Sequence, residues 1–144
     1  MLTADGAAVV AVVTASDRSR LWAMCRAQRS AVGDPFRAQF GELEGRLRRA
    51  TVVPGEGVAP DVVTMNSRVA VRDVESGRAE TFTLVYHGDS GVFDRRLSVL
   101  SPLGVRALGA RVGDVIEWPL RRGVRRLRVE RIEYQPEAAG DFDL

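Results

Sequence analysis

The chain has 144 residues, a formal net charge of +2 and a hydrophobic content of 45%. This composition is typical of one globular domain, or of a small domain with an appendage, and it excludes a largely disordered chain. The 21 positive side chains are all arginines and are nearly balanced by 19 acids. A dedicated nucleic-acid-binding domain would carry a clearer basic excess.

The longest apolar run, residues 7–13, is too short to span a bilayer. It also lacks the flanking residues of a signal peptide, so we expect a cytoplasmic protein that is not secreted and does not bind membranes. Cys25 is the only cysteine, which excludes an internal disulfide and suits a reducing compartment. With one cysteine and one histidine, His87, the chain offers little to a metal, and we expect neither a metal nor a cofactor.

The first 50 residues contain one strand pattern and two helix patterns. The β-branched run at 7–13 predicts a short strand, and Ser16 and Asp17 offer an N-cap to the helix that follows. A break at residues 30–35 precedes a second helix, in which apolar residues alternate steps of four and three, as in a coiled-coil seam. The seam residues are Phe36, Phe40, Leu43, Leu47 and Ala50. Residues 1–50 are therefore predicted to form a short strand and an antiparallel helical hairpin, a short coiled coil.

The rest of the chain follows a period of two. Residues 51–60, rich in proline and glycine, are predicted to be a linker. About five strand patterns follow, interrupted by a helix that begins at Ser101-Pro102. The phase of the last strand slips between Val129 and Ile132, which predicts a bulge. Residues 61–144 are therefore predicted to form an α+β domain with a mainly antiparallel sheet and one helix.

This second region carries a series of motifs in a fixed order. They are DVVTMNSRV (61–69), LVY (84–86), LSVLSPLG (97–104), LGARVGD (108–114) and EYQPEAAGD (133–141). In order and spacing they resemble the regulators of nucleoside diphosphate kinase (Rnk), which are similar to the transcript-cleavage factors GreA and GreB. The resemblance covers roughly residues 52–144, whereas the N-terminal third shares only the order of its elements.

The resemblance implies a fold, a partner and a docking loop. It implies an FKBP-like C-terminal domain that docks on RNA polymerase, at the β′ rim helices of the secondary channel, and a helical hairpin that enters this channel. The docking loop would lead from a strand through Ser-Pro into a helix. In this chain it would consist of Leu100, Ser101, Pro102, Leu103 and Gly104. Because Ser-Pro is also ordinary helix-capping chemistry, a purely structural role is the alternative.

The tip of the hairpin, formed by Gly33, Asp34 and Pro35, decides the expected activity. The resemblance implies that a cleavage factor carries an Asp and a Glu at this tip, where paired carboxylates can hold a Mg²⁺ ion. Asp34 is alone here and is also explained as the N-cap before Pro35. The next acids, Glu42 and Glu44, lie about 12 Å further along the helix at 1.5 Å per residue. We therefore expect no catalytic residue and no transcript cleavage.

The main hypothesis is a non-enzymatic, monomeric regulator that competes with Gre factors at the secondary channel and touches nucleic acid only weakly, through the polymerase. A Gre-type cleavage factor is the alternative. A third hypothesis is a peptidyl-prolyl isomerase, for which the aromatic candidates are few: Phe82, Tyr86, Phe93, Trp118 and Tyr134.

A cluster of arginines near the last predicted hairpin has two possible interpretations. It is either a solvated strand face or a surface that binds an acidic partner or nucleic acid. It consists of Arg121, Arg122, Arg125, Arg126 and Arg128.

Overall fold

Helices make up most of the first 50 residues and strands most of the remainder. The structure is a computed structural model that describes residues 11–32, 37–89, 91 and 94–144. The elements are β1 (Val12–Thr14), α1 (Ala15–Val32), α2 (Arg37–Arg49), β2 (Thr51–Val53), β3 (Arg68–Asp73), β4 (Ala79–Val85), β5 (Arg96–Ser98), α3 (Pro102–Ala107), β6 (Val115–Pro119), β7 (Val124–Tyr134) and α4 (Pro136–Ala139). The predicted α+β architecture, a helical hairpin followed by a sheet domain, is confirmed.

The hairpin α1–α2 packs through the predicted apolar seam. Leu21 and Cys25 of α1 belong to one buried cluster with three seam residues of α2, namely Phe40, Leu43 and Leu47. Cys25 is thus part of the core, where a free cysteine behaves as a small hydrophobe. The seam residue Phe36 and the predicted tip, Gly33, Asp34 and Pro35, lie outside the described residues.

The start of α1 differs from the prediction. Thr14 occupies the N-cap position, and its Oγ1 accepts a hydrogen bond from Asp17 N at 3.0 Å. The prediction that Ser16 or Asp17 caps the helix was therefore wrong. Asp17 already lies inside the first turn, and its carboxylate points away from the helix end, toward the backbone of Met65.

The two ends of the hairpin are tied together by a short parallel ladder. In this ladder β1 pairs with β2, with Val12 opposite Thr51. The segment predicted as a linker, residues 51–60, thus begins with a strand and continues into a 3₁₀ turn at Gly55–Gly57. Gln135 holds the C-terminal end of this segment, because its Nε2 donates hydrogen bonds to Ala59 O and to Val62 O, both at 2.8 Å.

A curled sheet of five strands, in the order β5-β4-β3-β7-β6, forms the second region. Neighbouring strands are antiparallel except β4 and β5, which are parallel. The register between β3 and β7 shifts, because Ala70 lies opposite Arg131 while Val71 lies opposite Val129. One extra residue, Glu130, lies where the sequence predicted a bulge, and a second shift leaves Glu133 as an extra residue nearer the end of β7. Such bulges increase the local twist of a sheet.

Candidate partner-binding site

The loop between β5 and α3 is built by two serines and a proline. Ser101 is the N-cap of α3, and its Oγ accepts from Gly104 N at 2.9 Å while donating to Ser98 O at 2.7 Å. Ser98 Oγ in turn accepts from Leu100 N at 3.1 Å. Pro102 stands at the first helical position, where a missing N–H costs nothing. The loop is therefore held in one shape by its own side chains.

Gly104 allows α3 to lie directly on the end of β5. A Cβ at this position would be 2.0 Å from Ser98 O and 2.8 Å from Ser101 Oγ. No real side chain tolerates such a distance to a backbone oxygen, so only glycine fits. The apolar side of the helix then enters the core, where Val105, Ala107 and Leu108 are fully or almost fully buried.

The five predicted docking residues differ in what they offer to a partner. Leu100 is 1% exposed and Gly104 is buried, so these two support the loop from inside. Pro102 is exposed, whereas Ser101 and Leu103 are half-buried. The surface that a partner could touch is therefore formed by Ser101, Pro102 and Leu103.

A groove of about 400 Å³ opens beside this surface. Leu103 is one of its walls, and Phe82 of β4 and Leu97 of β5 supply the remaining apolar lining. Glu80 and two arginines, Arg95 and Arg96, stand around it. An apolar floor with a charged rim is the usual form of a surface that receives a partner's side chains. The resemblance pointed only to the loop, and sequence reasoning missed the groove because it takes residues from β4, β5 and α3 together.

The charges along the sheet near this groove are paired. Arg125 forms ion pairs with Glu80 and with Asp73, the latter at 3.2 Å. Burial opposes the charged form of Arg125, but the hydrogen bonds to these two carboxylates outweigh it and raise its pKa. Amide hydrogen bonds from the turn at Ser76 lower the pKa of Asp73.

The arginine cluster 121–128 is only partly available to a partner. Arg125 is engaged as described above, and Arg126 pairs with Glu117 at 3.0 Å and with Glu75 at 3.4 Å. The remaining members, Arg121, Arg122 and Arg128, are exposed. Two of the five arginines are thus part of an ion-pair network on the sheet, which weakens the interpretation of the cluster as a nucleic-acid surface.

A buried carboxylate at the base of the hairpin was not singled out as a site from the sequence. Asp17 is 2% exposed, accepts from Met65 N at 3.0 Å and lies 3.5 Å from the hydroxyl of Tyr86. Burial raises the pKa of Asp17 to about 6, although the Met65 amide opposes the shift. Burial, together with the charge of Asp17, raises the pKa of Tyr86. These polar contacts join α1 to the sheet domain at the base of the hairpin.

The aromatic candidates for an isomerase pocket lie apart. Phe82 lines the groove, whereas Tyr86 contacts Asp17 at the hairpin base, and the Tyr134 hydroxyl donates to Asp141. Phe93 is outside the described residues, and Trp118 is placed in β6. The described aromatic side chains therefore serve packing and hydrogen bonding at separate places, which disfavours the isomerase hypothesis.

Within the described ranges, no three His, Cys, Asp or Glu side chains come together as metal ligands. Glu42 and Glu44, the acids that follow Asp34 in the sequence, form ion pairs with arginines of the described residues. Glu42 forms an ion pair with Arg106 at 2.9 Å, and Glu44, which is almost buried, pairs with Arg48 at 3.6 Å. No described helix is both long and apolar enough to cross a membrane.

Comparison with known proteins identifies the family. Residues 58–134 match the family described as transcription elongation factor, GreA/GreB, C-term. A regulator of nucleoside diphosphate kinase from Escherichia coli K12 is 46% identical over 101 residues, which cover 69% of this chain and 74% of that protein. A transcription elongation factor GreA from Alkaliphilus oremlandii is 31% identical over 94 residues, 65% of this chain and 59% of its own length.

A solved structure agrees with these sequence matches. The GreA/GreB elongation factor from Nitrosomonas europaea superimposes with a TM-score of 0.71 at 34% identity, and the match covers 88% of this chain and all of the other. The predicted resemblance is confirmed, and the chain belongs to the GreA/GreB family of transcription elongation factors.

Proposed function

We propose that the protein binds RNA polymerase at the entrance of the secondary channel, regulates transcription there without cleaving the transcript, and competes with Gre factors for this place. The observation that carries the proposal is the β5–α3 loop. In a chain of this family, Ser101 and Gly104 hold Pro102 and Leu103 at the surface beside an apolar groove. The protein itself would catalyse no reaction.

The shape of the groove supports a helical partner. Apolar side chains line it, and Arg95 and Arg96 stand at its exposed edge, where they can meet polar groups of a partner, whereas Glu80 is held by Arg125. Laying an amphipathic helix in an apolar groove is a common recognition mode. The β′ rim helices that the family resemblance implies would bind in this way.

The acids of α2 support the absence of cleavage activity. Mg²⁺ is usually held by one or two carboxylates together with substrate oxygens. Glu42 is bound to Arg106 of α3, and Glu44 is packed at the hairpin base. Both acids are thus engaged in other contacts. This supports the expectation that Asp34 would have no second carboxylate of this chain with which to hold an ion.

A binding and cleavage experiment tests the proposal. The purified chain and core RNA polymerase should co-migrate on gel filtration, and an excess of GreA should displace the chain. On a backtracked elongation complex with labelled RNA, the chain should leave the RNA intact while GreA shortens it. Absence of co-migration at micromolar concentration and low salt would refute the binding proposal. If the wild type cleaves the RNA and Asp34→Asn does not, the proposal of regulation without cleavage is refuted and the protein is a cleavage factor.

A further inference from the structure

The C-terminal end of α3 rests on the second helix of the hairpin. Arg46 of α2 is half-buried, and its Nη2 donates to Leu108 O at 2.5 Å and lies 3.5 Å from Arg106 O. The carbonyl groups at the end of a helix have no partner within the helix, and a cation is well placed to satisfy them. One helical turn earlier, Glu42 accepts from Arg106 Nε at 2.9 Å. Two side chains of α2 therefore hold one end of α3.

The other end of α3 is the docking loop. The helix has six residues, from Pro102 to Ala107, and is thus only about 9 Å long at 1.5 Å per residue. Its inner face is fixed in the core by Val105 and Ala107, which are fully buried. The proposed polymerase contact and the base of the hairpin are therefore the two ends of one short, rigid element.

We propose that Arg46 and Glu42 are positioning residues that hold α2 against the end of α3 and thereby fix the direction of the hairpin relative to the docking loop. The functional part of this inference rests on the proposed function. The contact of α1 with the domain through Asp17 and Met65 lies at a different place. The hairpin also shares the apolar core of the domain, where Leu21 and Leu47 belong to one buried cluster with Met65 and Leu108. Apolar packing keeps the hairpin attached but is non-directional, so we expect that loss of the α2–α3 contact lets the attached hairpin pivot.

Distance measurement on the free protein tests the geometry. Spin labels are placed on the exposed positions Ala27 of α1 and Arg128 of β7, in a Cys25→Ala background. In the labelled protein without a substitution in α2, pulsed electron spin resonance should give one narrow distribution of the distance between the two labels. Arg46→Met, which keeps an unbranched apolar side chain as far as the position of Nε but removes the guanidinium donors, should at least double the width. Arg46→Lys should restore most of the narrow distribution, because an ammonium can still donate to Leu108 O.

A matched control makes this experiment specific. Arg49→Met is the same change on the exposed side of the same helix and should leave the distribution unchanged. If Arg46→Met keeps the wild-type distribution and the wild-type circular dichroism, the positioning role is refuted. Should Arg46→Met fail to fold, Glu42→Gln decides the question, since its half-exposed carboxylate can be neutralised without opening the core. An unchanged width in Glu42→Gln would then refute the proposal.

A second measurement tests the functional part with the polymerase complex. A photo-cross-linker at Ala27 reports contact between the hairpin and the polymerase at saturating concentration. We expect Arg46→Met to lower the cross-link yield about fivefold while the affinity for core polymerase falls less than about threefold, since the docking surface is intact. An equal fall in the cross-link yield and in the affinity for core polymerase would refute the positioning role. If the wild type does not bind polymerase, the proposed function fails, while the distance measurement still decides the geometric inference.

Discussion

The hairpin and the β5–α3 region show two ways in which a helix is kept in place. The hairpin relies on a regular apolar seam, with Leu43 and Leu47 buried and the opposite side open to solvent. Helix α3 is too short to be stable alone, and it depends on a cap, a glycine and buried contacts with the sheet. We therefore expect the hairpin to tolerate substitutions on its outer face and α3 to tolerate almost none.

The largest expected effect is in the short element. Gly104→Ala would bring a Cβ to 2.0 Å from Ser98 O, a backbone atom that cannot move aside alone. We expect the free energy of unfolding to fall by about 3 kcal/mol, as for severe overpacking in a core. Urea denaturation followed by circular dichroism measures this effect. A loss below about 1 kcal/mol would mean that α3 can shift away from β5, and that the loop is less rigid than the hydrogen bonds of Ser101 indicate.

The junction between the two regions should respond to pH through Asp17. Burial raises its pKa from 3.8 to about 6 in the folded chain, and the ionisable groups that act on it are Glu137, which raises the pKa further, and Arg20, which lowers it. Because the folded pKa is the higher one, this residue contributes stability below about pH 4 and loses that contribution as the pH rises through about 6. The change amounts to on the order of 2 kcal/mol.

Asp17→Asn is the control for this pH effect. The amide oxygen of asparagine can still accept from Met65 N but does not titrate. The difference in unfolding free energy between wild type and Asp17→Asn should therefore move in favour of the variant between pH 4 and pH 7. A pH-independent difference would show that Asp17 keeps an ordinary pKa. Measuring the difference removes the titration of other acids, such as Asp73, whose pKa is shifted the opposite way.

A smaller effect separates the surface of the docking loop from its support. Ser101→Ala removes the cap and should cost about 1 kcal/mol of stability while leaving Pro102 at the surface. Pro102→Glu keeps the cap and adds a carboxylate at a helix start, where it is tolerated, so stability should change by less than about 0.5 kcal/mol. Under the proposed function, only Pro102→Glu should weaken polymerase binding strongly, by about tenfold. The reverse pattern would assign the Ser-Pro pair a purely structural role.

Most features that follow from periodic spacing or from neighbouring residues could be predicted from the sequence. The buried part of the α2 seam, the Ser101 cap and the bulge in β7 have their predicted places, whereas the N-cap of α1 is Thr14 and not the predicted Ser16 or Asp17. The contacts of Asp17 and Arg46 could not be predicted, because their partners are backbone groups distant in the chain, at Met65 and Leu108. Neither the residue types nor their spacing in the sequence indicates which backbone carbonyl or amide will contact a charged side chain.

The candidate site also has one part that could be predicted from the sequence and one part that could not. The family motif pointed to residues 100–104, but burial decides which of them can touch a partner, and it removes Leu100 and Gly104 from the surface. The groove beside them depends on how β4 and β5 meet α3. Such a surface exists only in the folded chain, so it could not be read from any one segment.

The smallest expected effect is a gain of stability in the hairpin. Gly41 lies within α2 and is exposed, and a Cβ added there would meet no described atom within 4 Å outside the backbone of its own helix. Glycine in a helix interior is about 0.5–1 kcal/mol less favourable than alanine, so Gly41→Ala should stabilise the chain by about that amount. Gly45→Ala is the matched comparison, because its Cβ would lie 3.1 Å from the guanidinium of Arg49 and would displace a flexible side chain. We therefore expect a smaller gain from Gly45→Ala than from Gly41→Ala in urea denaturation. Polymerase binding should be unchanged in both variants, since neither position belongs to the loop or to the α2–α3 contact. A loss of stability in Gly41→Ala would show that the outer face of α2 is covered, and would remove the contrast between the tolerant hairpin and the tightly packed α3.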